Sequence, residues 1–371
     1  MALASGDART IGTAAKRIFV INLPRSAPSG GHANNFDGLR LVASLMVLAS
    51  HQFVLLGLHE ATLAEGMTLG SIAVAMFFTM SGYLVTESWY HDPHIMRFAM
   101  RRFLRIWPAL IVATLVIVVA GAALTTLPLH DYFGRETRRF ITFNAQLRAY
   151  YTLPGVFATM PANATLSAVN GSWWTIPLEA KCYAYVAVLG AIGLRRRIFS
   201  LLALLVVAVM YAKTLPGHSR DNSFDNLCYF YTAFFLGGVC ARQYAVEIGR
   251  RRLSVVAALA ACLLTAALLQ HARLAQWAVL VPFTLWFGQQ ATPGLRSAAR
   301  FGDLSYGAYL YAYFVQQLSV HLWPATPSYP ATAAMAAVIT LMVAWCSWHV
   351  VEAPALALKR RLRAWFPDSA H

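Results

Sequence analysis

The sequence predicts an all-α fold: a polytopic integral membrane helix bundle of about ten transmembrane helices, N-terminus in and C-terminus in. Three observations predict it. First, 58% of the 371 residues are hydrophobic and only 12% are charged. A soluble domain carries about 25% charged residues, so this chain cannot cover a water-facing surface, and its mean hydropathy of +0.53 agrees. Second, long apolar runs recur along the chain. Third, basic residues collect in alternate gaps between those runs.

The elements follow in order. Residues 1–33 mix Gly, Ser, Pro and scattered basic residues, and their run IFVINL is too short for a signal-peptide core. They read as a partly disordered cytoplasmic tail. Apolar segments follow at about 38–58, 69–88, 104–128, 173–193, 198–212, 227–246, 253–270, 274–288, 303–323 and 331–351. Segments 198–212 and 274–288 are short for a full span, which suits tilting, extension into the flanks or a partly re-entrant course. The transmembrane domain covers 34–356, and 357–371 is a basic cytoplasmic tail. With the N-terminus inside, 22 of the 30 Lys and Arg residues fall in inner segments, 7 in outer ones, and Lys181 within a span. That is the positive-inside pattern.

The same distribution disposes of other classes. The net charge of +15 comes from short clusters between apolar runs, not from a continuous basic stripe, so nucleic acid is not a partner. Cys182, Cys228, Cys240, Cys262 and Cys346 sit in or beside apolar segments without paired spacing. They read as small buried hydrophobes, neither a disulfide framework nor a metal site.

Ionisable residues in hydrocarbon are costly and mark candidate sites. Arg40 and His51 are eleven residues apart in the first span, about 20° past three full turns and ~16 Å apart along the axis, so they share one helix face. Arg40 reads either as a snorkelling anchor or as a group that binds phosphate or an oxyanion. His51 reads either as a histidine satisfied by a neighbouring helix or as a base for a hydroxyl. Glu179 and Lys181 lie in the fourth span after Pro177. Two residues apart, they do not share a face. Glu179 is a candidate partner for His51, a ligand for a sugar hydroxyl, or half of an internal ion pair. Ser81-Gly82 suits close packing, with ligand contact by Ser81 as the alternative. Arg101, Arg102 and Arg105 run into the third span and are stopped by Pro108. They read as inner-face anchors or as phosphate ligands. Tyr306, Tyr309, Tyr311 and Tyr313 crowd the ninth span as belt or core residues, with sugar stacking as the alternative. His349 and Glu352 read as a terminal anchor. The longest loop, 129–172, is a solvated connector or a functional segment.

Six of these pieces, in order, resemble the acyltransferase family 3 membrane proteins: FDGLRLVASLMVLASH with ten residues between its Arg and its His, FFTMSGYL, RRFLRIWP, SWWTIPLE, FGDLSYGAYLY and VVEAP. The resemblance runs from about 34 to 356. It implies a membrane O-acyltransferase that takes an acyl group, usually acetyl, from cytosolic acyl-CoA to a hydroxyl of a glycan or lipid-linked sugar. It implies His51 and Arg40 as catalytic residues, with Glu179 an acidic site residue and Arg40, Arg101, Arg102 and Arg105 as contacts for acetyl-CoA. Ser81, Trp173, Lys181 and Tyr309 are the substrate-binding candidates. No metal is expected; membrane lipid surrounds the chain, a bacterial cytoplasmic membrane is its expected location, and homo-oligomerisation is left open. Where the family often has a histidine in the ninth span, this chain has Ala312. The competing class is a transporter or flippase of a glycolipid without acyl transfer, against which the absence of an internal repeat counts.

Overall fold

The computed structural model describes residues 34–62, 67–157, 167–193, 197–215, 223–268, 272–323 and 328–367. The predicted tail 1–33, part of the 129–172 loop and the last four residues lie outside the described residues. Among the described residues there are helices and no strands. Each of the ten apolar segments is a helix: α1 Phe36–Leu55, α2 Leu69–His91, α3 Ile95–Ala122, α4 Thr175–Gly193, α5 Ile198–Lys213, α6 Ser223–Gln243, α7 Arg252–Leu268, α8 Ala272–Gly288, α9 Leu304–His321 and α10 Tyr329–Ser347. Five are long and apolar enough to cross a membrane: α1, α2, α3, α4 with its preceding turn, and α10 with its continuation to Trp365. The other five are shorter or more polar. Val119, Leu205, Leu264 and Val350 are each more than half exposed, a surface that suits lipid and not water.

Local chemistry sets the helix ends. Thr68 caps α2 by accepting from the Ser71 amide (3.1 Å), and the His94 ring caps α3 by accepting from the Arg97 amide (3.3 Å). Asn35, fully buried, ties the start of α1 to the end of α8. Its amide donates to the Gly288 carbonyl (2.9 Å), and its side chain donates to the Phe287 carbonyl (3.1 Å) and Thr292 (2.9 Å). The start of α1 and the end of α8 therefore lie at one end of the bundle.

Close approach between helices rests on small residues. A Cβ at Gly82 would overlap the Phe235 carbonyl, and one at Gly238 would overlap the Thr79 carbonyl, so the α2–α6 crossing needs glycine on both sides. The expected packing role of Ser81-Gly82 thus falls on Gly82.

Two elements differ from expectation. Pro108 does not stop the Arg101–Arg105 stretch: α3 is continuous through it for 28 residues. Proline removes one amide donor and crowds the preceding turn, but packing against neighbours tolerates this in a membrane helix. Here the Tyr306 hydroxyl donates to the Ile106 carbonyl (2.9 Å) beside the proline. The first part of the 129–172 loop is not a bare connector either. Its helix Arg135–Ala145 runs back along α3: the Tyr132 hydroxyl donates to Val118 O (2.7 Å), and the Trp107 indole donates to Ala145 O (3.1 Å). Those α3 positions are about 16 Å apart.

Candidate active site

Five helices and the chain after α10 enclose a cavity of about 290 Å³ at the end of the bundle where α1 and α3 begin. Four cations line it: Arg40 of α1, Arg102 and Arg105 of α3, and Lys359 beyond α10. Two carboxylates face them, Glu179 of α4 and Asp303 just before α9.

The cations differ in how they are satisfied. Arg105 is paired: its Nη2 lies 2.8 Å from Asp303 Oδ2, its Nη1 lies 4.0 Å from Glu352 Oε2, and its guanidinium stands 5.4 Å over the Tyr306 ring. Arg102 is held by rings, 5.5 Å over Tyr183 and 5.8 Å over Phe98, with a long 3.5 Å contact to Ser88 Oγ and an Nε without a partner. Arg40 makes no ion pair or hydrogen bond with another described residue. A guanidinium withdrawn from water without a carboxylate is costly unless an anion or water meets it. Arg40, Arg102 and Lys359 make no ion pair with another described residue and so mark where an anion fits, and planar guanidinium groups suit phosphate oxygens.

Glu179 lines the same cavity beside Tyr183, the ring under Arg102. It accepts from Ser81 Oγ (3.0 Å) and from the Tyr183 hydroxyl. The expected Glu179–His51 pairing is not what the structure shows; Ser81 and Tyr183 take the carboxylate instead. The short 3-10 turn Gly171–Trp174 directly precedes the lining residues Thr175 and Ile176. The Tyr309 hydroxyl donates to the Ser172 carbonyl and meets Thr175 Oγ1 at 2.6 Å. The turn is fastened to mid-α9 by the Trp173 indole and the Asn170 amide, which both donate to the Leu310 carbonyl (3.1 and 2.7 Å).

His51 lies beyond that turn and does not line the cavity. Its ring meets Tyr313 edge-on, with centroids 5.2 Å apart. Tyr313 in turn presses on the Gly171–Trp174 turn, where a Cβ at Gly171 would come 3.0 Å from its ring. Tyr309 and Tyr313, one turn apart on α9, thus face the same turn from the cavity side and the His51 side. The Nδ1 of His51 is shielded from solvent and has no partner among the described residues.

Of the residues singled out from the sequence, the structure brings Arg40, Ser81, Arg102, Arg105, Glu179, Tyr306 and Tyr309 to one cavity. Arg101 is elsewhere: with Arg97 it grips Asp92 in the α2–α3 turn. The Arg97 hydrogen bonds, aided by Arg101, hold the Asp92 carboxyl down at about 2. Trp173 is buried and its indole is engaged by α9, while Lys181 points outward on the exposed face of α4.

Sequence reasoning missed Asp303, Lys359 and Tyr183 as lining residues. It also read Glu352 as a terminal anchor. Glu352 is 3% exposed, in a π-helical turn Trp348–Glu352, accepts from Ser347 Oγ (3.0 Å), and stands beside Arg105. An acid inside an apolar run was the available signal. His349 is exposed, as an anchor would be.

Comparison with known proteins adds the following. A family described as an acyltransferase domain matches residues 34–349. The chain is 28% identical over 335 residues to a protein of Shigella phage Sf6 named O-acetyl transferase, covering 86% of this chain and 95% of that one. It is 28% identical over 375 residues to nodulation protein 10 of Rhizobium leguminosarum bv. viciae, covering 92% and 98%. It is 35% identical over 100 residues to acyltransferase MdmB of Streptomyces mycarofaciens, covering 25% and 26%. No solved structure matches.

Proposed function

The chain belongs to the acyltransferase-3 family and is an acyltransferase, and from this we propose that it is an integral membrane O-acyltransferase that moves an acyl group, acetyl in the first instance, from cytosolic acyl-CoA to a hydroxyl of a carbohydrate or glycoconjugate. The observation that carries this reading is the pairing, on one uninterrupted helix, of a guanidinium that lines the cationic cavity and an imidazole nitrogen without a hydrogen-bond partner among the described residues. Arg40 faces the cationic cavity, and His51 stands about 16 Å further along α1.

The cavity residues fit a coenzyme A ester. Arg40 and Arg102 lack carboxylate partners, Lys359 adds a third charge, and all three can bind phosphate oxygens. Arg105 is fixed by Asp303 and Glu352 and gives the cavity a rigid cationic wall. Under the orientation with both termini in, this end of the bundle is cytosolic. The 22-to-7 distribution of basic residues supports that orientation and the ten-span count.

His51 is the base. An orphaned polar atom in a protein interior costs about 1–3 kcal/mol, and a nitrogen kept free is one that can take the proton of an acceptor hydroxyl. The hydroxyl oxygen then bonds to the acyl carbon, the thioester C–S bond breaks, and the thiolate leaves to be protonated. In the two-step version, a ring nitrogen of His51 bonds to the acyl carbon as the thioester C–S bond breaks and the thiolate leaves, and the acceptor hydroxyl then displaces the imidazole. Either route requires the acyl group to pass the Tyr309 contact, one α9 turn or about 6 Å from the level of Tyr313. Glu179, fixed by Ser81 and Tyr183, stands on the cavity side of that contact and orients the reacting end. The name of the Shigella phage relative supports acetyl as the group moved.

The test is mass spectrometry of cell-envelope glycans from cells with and without the gene. The reading predicts an acetyl-sized mass gain on one sugar that depends on the gene. An unchanged glycan profile, together with substrate movement across sealed vesicles without acyl-CoA consumption, would replace it with a transporter.

A further inference from the structure

A second cavity, about 260 Å³, lies on the opposite face of α2 from the first. Ser81 lines one and Tyr83 the other, and residues two apart on a helix face apart. The second cavity is bounded by α6, the short helix Ala245–Arg250, α7 and α8. Its walls are almost wholly aliphatic and aromatic, among them Ala241, Ile248, Val255, Leu259 and Trp286. Val256, another lining residue, is 46% exposed, so the cavity opens on the apolar outer surface of the bundle. Such a space attracts neither water nor a sugar; it suits hydrocarbon.

Two polar features stand at its rim. The turn that joins the lining residues Ile248 and Val255 carries Arg250 and Arg251, both exposed and neither in an ion pair with another described residue. The nearby carboxylate of Glu247 is taken by Arg197. Gln289, a lining residue just past the end of α8, has a buried Oε1 that receives no hydrogen bond. Through Asn35 the end of α8 is level with the start of α1. The rim is therefore at a bundle end, at headgroup depth, and the hydrocarbon-lined space runs inward from it.

We propose that this cavity is a binding site for a membrane phospholipid with an anionic headgroup. One acyl chain enters the cavity between α7 and α8. The phosphate lies against Arg250 and Arg251, and a headgroup hydroxyl donates to Gln289 Oε1. The site is separate from the acyltransferase cavity and fixes α7 and α8, the shorter helices, to the α2–α6 pair.

Native mass spectrometry tests it. The protein is reconstituted in nanodiscs of phosphatidylethanolamine and phosphatidylglycerol, released in mild detergent, and its retained lipid is identified. The wild type keeps one phosphatidylglycerol. Ala241→Phe, which fills the cavity, loses it by at least about fivefold. The double variant Arg250→Gln, Arg251→Gln keeps a lipid but loses the preference for phosphatidylglycerol by on the order of tenfold. This variant changes only exposed side chains, so it decides the question even if Ala241→Phe fails to accumulate. Equal retention by the filled variant, equal retention of the two lipids by the wild type, or a lipid-free dimer that dissociates when the cavity is filled would each overturn the proposal. None of these outcomes depends on whether the chain transfers acyl groups.

Discussion

The two ends of α1 differ sharply in their surroundings. Around Arg40 the structure is dense with charge: Arg102, Arg105, Lys359, Asp303 and Glu179 share one cavity, and most are held by a named partner. Around His51 it is sparse, with one tyrosine ring and a nitrogen left unsatisfied. Binding a polyanion calls for many fixed charges, each contributing modestly. Proton transfer calls for one group whose lone pair is not already used. The contrast is what a site divided into a recognition end and a chemical end should look like.

Variants can break or sharpen this contrast. The largest effect belongs to His51→Ala: acyl transfer falls by about 10²–10⁴-fold, the range for a lost general base, while the protein accumulates in the membrane at the wild-type level. Glycan acetylation in complemented cells reads this out. Arg40→Ala comes next. It weakens acetyl-CoA binding by roughly tenfold to a hundredfold, as expected for one charge-assisted contact, and titration calorimetry on purified protein measures it. An Arg40→Ala protein that binds normally and turns over slowly would move Arg40 from recognition to chemistry.

Tyr309→Phe has a smaller effect. It removes the hydroxyl that joins α9 to Ser172 and Thr175, a loss of about 0.5–1.5 kcal/mol. It should change kcat several-fold with KM for the donor held, because the contact lies between the two ends and not among the phosphate ligands. Lys181→Ala marks the floor: exposed and outside the cavity, it should leave both constants within about twofold.

One effect lies away from the reaction. Arg97 and Arg101 depress the Asp92 carboxyl to about 2. A folded value below the unfolded one means the stabilisation is fully present above about pH 4. It is lost as pH falls through 2. Thermal unfolding in detergent across that window should show a fall that Asp92→Asn abolishes.

Much of this contrast was legible before any coordinates. The ten helices follow from apolar run length, and the Arg40–His51 stripe follows from counting 100° per residue. Both are local properties of the chain. What was not legible depends on contacts between distant segments. Lys181 and Glu179 look alike in sequence, yet the turn of α4 sends one outward and the other to Ser81 on α2. Arg101 and Arg102 are neighbours, but Asp92 captures the first and the rings of Tyr183 and Phe98 hold the second. Glu352 reaches Arg105 because the chain takes a π-helical turn there, and no residue pattern announces such a turn. Gly302 explains itself only in three dimensions: its φ of +102° and the overlap a Cβ would make with Trp348 require glycine just before Asp303.

The most direct measurement pairs binding with turnover on a single variant. Purified His51→Ala should bind acetyl-CoA within about twofold of wild type, because none of the cavity cations is altered, and should fail to transfer the acetyl group to the acceptor glycan. If the variant instead loses acetyl-CoA binding, or still acetylates at the wild-type rate, the division of α1 into a recognition end and a chemical end is wrong.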